Sequence, residues 1–127
     1  MKRIIPILLI FALIISLCAC GPKTAEEGYE KAKDLVNSKK VVGDWELSSG
    51  DFSRVKQSDG EYKYSYEVIF IATGPLSNAY ASAQSATNSL YKRIDRAFGD
   101  HDVVIVFIFY SCLGHYMYGA IDGELMK

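Results

Sequence analysis

The chain has 127 residues, enough for one domain and too few for two sizeable cores. Half of its residues are hydrophobic and its formal net charge is −1, so there is no basic surplus with which to grip nucleic acid. Three cysteines exclude a dense disulfide framework.

Met1-Lys2-Arg3 is a short basic start, and the run from Ile4 to Cys20 carries no charge. A helix that spans a bilayer needs roughly 20 apolar residues. This run is shorter and ends in small residues, which is the layout of a cleaved export signal. The two cations hold the start of the chain on the cytoplasmic side while the rest crosses. The run ends Leu17-Cys18-Ala19-Cys20-Gly21. This resembles the bacterial lipoprotein signal: a leucine, a residue that is usually small, a small residue, then the modified cysteine.

The resemblance implies that residues 1–19 are a removable signal peptide and that Cys20 receives a diacylglycerol on its sulfur. Residues 20–23 would then be a lipidated tether, and 24–127 a single α+β domain. The implied address is the cell membrane, lipid-anchored on the extracytoplasmic face. Two acyl chains suffice for stable anchoring, since each buried CH₂ contributes roughly 0.8 kcal/mol. Loss of Lys2 and Arg3 lowers the basic side chains from 14 to 12 against 15 acidic ones, for a mature charge of −3. Cys18 leaves with the signal and Cys20 is acylated, so Cys112 alone remains and no internal disulfide can form. Its place after a very apolar run marks it as a buried small hydrophobe.

Thr24-Ala25-Glu26-Glu27 has the spacing of a capping box. It opens a helix over 25–38 with the apolar stripe Ala25, Tyr29, Ala32, Leu35 and Val36. Residues 41–48 alternate briefly around Trp45 and Leu47 and read as a strand. Ser49-Gly50-Asp51 interrupts it as a bulge or turn, and 52–56 resumes it. Asp59-Gly60 predicts a tight hairpin. Beyond it Tyr62, Tyr64, Tyr66, Val68 and Phe70 share one strand face. Ile69 and Ile71 make the far end apolar on both sides. Ser77 is the expected N-cap of a long helix over 78–98, and Gly99 its C-terminal stop. Residues 103–110 are eight consecutive apolar or aromatic positions, read as a strand buried on both faces for much of its length. A turn at 111–114 leads to a last strand over 115–121. Asp122-Gly123 is a turn, followed by a short loose tail.

The expected fold is α+β in the order α-β-β-α-β-β. Its two hairpins form one four-stranded antiparallel sheet with the long helix packed on a face. So apolar a strand as 103–110 requires the first helix, a partner or a ligand to cover part of the other face. This pattern is also similar to that of small Gram-positive lipoproteins. The likeness rests on no specific motif and implies no residue roles.

Chemistry-bearing residues are sparse. Asp100-His101-Asp102 reads as a polar turn, because neighbours on an extended chain point apart and cannot easily share one ion. Ser111, Cys112 and His115 lie close in sequence, at the spacing of an ordinary hairpin. No serine sits in a nucleophile elbow, and no phosphate-binding loop is present. No cofactor, metal or catalytic residue is expected. The leading reading is a noncatalytic protein-interaction module anchored through Cys20, with an envelope protein or glycan as partner and no nucleic acid. One alternative is a small-ligand or glycan-binding lipoprotein using Tyr62, Tyr64, Tyr66, Tyr116 and Tyr118 as an aromatic platform. Another is a small envelope hydrolase.

Overall fold

A computed structural model describes residues 22–126. Cys20 and the whole signal-like segment lie outside the described residues. The element order is α1 (Ala25–Lys39), β1 (Val41–Val42), β2 (Trp45–Lys56), β3 (Tyr62–Ala72), α2 (Ala79–Phe98), β4 (Val103–Tyr110), β5 (Tyr116–Ile121) and β6 (Glu124–Met126). All six strands form one sheet, which curls into a half-barrel in the order β1-β2-β3-β4-β5-β6.

This corrects the expected α-β-β-α-β-β arrangement in three ways. The sheet has six strands instead of four, because β1 and β6 are too short to show a periodic signal. Gly43, at φ 57, sits first in a two-residue turn that folds Val42 back onto Trp45. Asp122 and Gly123, at φ 51 and 86, do the same for the tail, which pairs as β6 and is not loose. The sheet is also not wholly antiparallel, since β3 and β4 run parallel. Element lengths explain this. Eleven residues of β3 carry the chain about 36 Å, and twenty residues of α2 return it about 30 Å. The helix thus delivers β4 near the point where β3 began. Lastly, two helices share the packed face instead of one. Tyr29 of α1 stacks on Phe52 at 4.6 Å and meets Tyr66 edge-on at 5.5 Å.

Local signals explain each helix. Thr24 caps α1 by accepting from the Glu27 amide at 3.1 Å. Glu27 accepts from the Lys23 amide at 2.8 Å, one residue before the expected partner. The N-cap of α2 is Asn78, one residue past Ser77; its side chain accepts from the Ala81 amide. Gly99 follows α2 at φ 65. Gly50 marks the β2 irregularity, and a Cβ there would lie 2.8 Å from the Glu67 carbonyl oxygen.

The core lies between the helices and the inner sheet face. Trp45, Tyr66, Phe70, Phe98, Phe107, Phe109, Leu90 and Ile94 are fully buried there. Side-chain hydrogen bonds satisfy its buried Trp45 and Tyr66. The Trp45 indole N–H donates to Ser82 at 3.0 Å, and the Ser82 hydroxyl donates to Asp44 at 2.9 Å. The Tyr66 hydroxyl shares a 2.8 Å hydrogen bond with Ser49. Burial pushes the Tyr66 phenol above its ordinary value; the Ser49 bond opposes that, and nearby Tyr29 adds to it.

Candidate interaction surface

The outer sheet face is built by alternation. Along β4 the odd positions from Val103 to Phe109 are buried against the helices, and the even positions from Val104 to Tyr110 are half-exposed. The strand is therefore not buried on both faces. Both described helices occupy the inner side, so no described element covers the other.

Pairing registers extend this apolar surface across three strands. Ile69 and Ile71 of β3 lie opposite Ile108 and Tyr110 of β4. Val106 of β4 lies opposite Ile121 of β5, and Tyr110 opposite Tyr116. Gly119 leaves room for the Tyr116 ring, whose hydroxyl lies 2.9 Å from where a Cβ would be. Tyr116 meets Tyr110 edge-on at 6.4 Å. Ile71, Tyr116 and Ile121 remain exposed. Carboxylates border the patch: Glu46 opposite Ile71, Glu67 opposite Val106, and Glu124 opposite Ile121. An apolar centre within a charged rim is the anatomy of a protein-binding surface, and contiguous apolar patches of this kind mark interaction sites.

The five nominated tyrosines do not share this face. Tyr66 is fully buried on the inner side, and Tyr64 is half-buried there beside Phe52 at 5.7 Å. Tyr118 packs edge-on against Tyr80 of α2 at 5.5 Å, also inside. Tyr62 is exposed at the hairpin end, with the Arg54 guanidinium 4.7 Å above its ring. Tyr116 alone belongs to the outer patch. Strand β4 also separates the two tyrosine strands.

Among the remaining chemistry-bearing residues, His101 and Ser111 have hydrogen-bond partners. The His101 Nε2–H donates to the Pro22 carbonyl at 2.9 Å. The Ser111 hydroxyl accepts from the Leu113 and His115 amides at 3.3 and 3.1 Å, closing the β4–β5 turn. Cys112 is exposed at that turn, not buried as its apolar surroundings suggested, because the strand ends two residues before it. Among the described residues, no group of three His, Cys, Asp or Glu side chains lies close enough to hold a metal ion. None of their helices is long and apolar enough to cross a membrane.

Comparison of the chain with family models, curated proteins and solved structures gave no match. The surface is thus read from its own geometry. Its members Val104, Val106 and Ile108 were visible in the sequence only as part of an unbroken apolar run. Such a run fits a strand with one open apolar face as well as one enclosed on both sides.

Proposed function

We infer that this chain is a noncatalytic interaction module, held at the extracytoplasmic face of a membrane by a lipid on Cys20. The observation that carries the reading is the uncovered apolar patch centred on Val106, Ile108 and Ile121. A monomer gains nothing from presenting such side chains to water, since each loses the transfer energy that burial would give. The outermost strands are short, at two residues for β1 and three for β6, although β2 beyond Glu46 keeps an edge that β1 does not pair. The face is therefore the site offered to a partner. With Glu46, Glu67 and Glu124 at its border, the complementary partner is a protein with an apolar patch and a basic rim. The Leu17–Cys20 signal supports the membrane address.

A photo-crosslinking amino acid placed at Ile108 in expressing cells tests the reading. One discrete protein adduct is expected from Ile108, and none from the exposed helix position Asn88. Absence of a discrete adduct from Val106, Ile108 and Ile121 alike would refute it.

A further inference from the structure

Pro22 is the first described residue, and it is buried. His101 holds its carbonyl, and its ring packs on Gly99, just past the end of α2. Cys20 is two residues away, a reach of at most about 7 Å. A lipid on Cys20 would thus meet the described chain at the helical layer, where Pro22 lies against Gly99.

That layer carries a shallow groove of about 400 Å³ lined by Lys31 and Leu35 of α1 and Arg93, Arg96 and Ala97 of α2. Lys31, Arg93 and Arg96 are all exposed, and none has a carboxylate within ion-pair distance among the described residues. Arg96 and Arg93 stand three and six residues before Gly99, about 5 and 9 Å along the helix axis. Three unpaired cations over a small apolar floor lie within a short reach of the anchoring point.

We propose that this groove takes the phosphates of anionic lipid headgroups in the membrane that anchors the chain. The inference rests on the anchoring reading above. Elsewhere on the two helices Glu26, Glu27, Glu30, Asp34 and Asp95 outnumber Lys33, Lys39 and Lys92, so the basic surplus of the helical layer lies at the groove. Guanidinium forks match phosphate oxygens, and long cationic stems lay their methylenes on apolar surface while the charge reaches outward. Three cations alone are too few to recruit a protein from solution. A chain already tethered meets headgroups at a high effective concentration, so the same three suffice to set its orientation. The helical layer then lies on the membrane, and the outer sheet face points away from it toward a partner.

The test uses the protein isolated from membranes of expressing cells, placed in vesicles with a photoactivatable phosphatidylglycerol. Label is expected on the peptides holding Lys31–Leu35 and Arg93–Ala97. It should fall roughly fivefold or more in the Lys31→Gln, Arg93→Gln, Arg96→Gln variant, whose changes are all at exposed sites. A thermal melt of that variant checks that it folds. Equal labelling of the variant, or label centred on the outer sheet face, overturns the proposal. So does equal labelling by a phosphatidylcholine probe, since the apolar floor alone would then account for it. The mass of the N-terminal peptide reports the anchor separately. A Cys20 without acyl groups would defeat the anchoring reading whatever the labelling pattern.

Discussion

Gly28 of α1 lies against Phe98 of α2 so closely that a Cβ at position 28 would come within 2.7 Å of the Phe98 ring and 3.0 Å of its Cα. Two effects compete in Gly28→Ala. Helix propensity favours alanine by about 1 kcal/mol. Overpacking against backbone atoms costs about 1–3 kcal/mol, and backbone gives way less readily than a side chain. The clash should win, and urea unfolding should show net destabilisation of about 1 kcal/mol. A more stable Gly28→Ala protein would mean that the helices can separate freely at this point.

Trp45 is the only tryptophan, fully buried, with its N–H satisfied by Ser82. Ser82→Ala removes the acceptor and strands a buried donor, which costs about 1–3 kcal/mol. Fluorescence unfolding curves read both the loss and the environment of the ring. A midpoint unchanged from the parent would show that the indole N–H has another acceptor.

Tyr66 links stability to alkaline pH. Its folded pKa is raised above 10.0 by burial, so the unfolded chain gives up this proton first. Above that pH the unfolded state binds fewer protons than the folded one, and stability falls as the pH rises. The contribution is intact below 10.0 and declines from there toward the folded value. Tyr91 is also raised, by burial first and then by Asp95 and Asp122, so the comparison needs a matched variant. Tyr66→Phe should show a shallower fall in stability over the same range. It should also lose about 1 kcal/mol at neutral pH as Ser49 loses its partner. Identical slopes would remove Tyr66 from the account.

Adjacent residues of β4 should respond very differently. Phe107→Ala opens a cavity among Phe70 and its neighbours and should cost about 3–5 kcal/mol. Ile108→Ala, on the uncovered face, should cost below about 1 kcal/mol in the isolated protein and weaken partner crosslinking. Comparable losses would indicate that the outer face is covered in the isolated protein.

Cys112 should react with a maleimide in the native protein as fast as in the unfolded one, because the side chain is exposed in a turn. Mass spectrometry before and after denaturation gives the comparison. Protection in the native state would place the thiol under a neighbouring chain.

Helix existence was legible from caps and spacing, and the β2–β3 hairpin from Asp59-Gly60. These are local signals, written within a few residues of the structure they specify. The neighbours of β4 were not local. The parallel pairing was open to arithmetic, since α2 is long enough to undo the travel of β3, but no residue type announces it. Strands β1 and β6, at two and three residues, repeat the two-residue alternation too few times to be recognised by it. The exposed surface on β4 was hidden for another reason. Hydrophobic periodicity distinguishes one wet face from none, and a strand with an apolar outer face erases that distinction. Thr87 of α2 is polar by residue type and so gives no sign of burial in the sequence. It is fully buried because its hydroxyl donates to the Ala83 carbonyl at 2.8 Å.

The parallel pair also governs the order of assembly. Hairpin β2–β3 closes across five residues, 57–61, whereas Tyr64 meets Val103 only after a long stretch that includes all of α2 has been made. Loop closure over that distance is slower than hairpin formation. During synthesis β3 therefore waits with a bare edge, and the buried side of α2 waits without β4. Between the emergence of residue 98 and that of residue 110 the chain thus exposes an unpaired strand edge that favours aggregation. A truncation inside β4 should yield insoluble protein in place of a smaller domain.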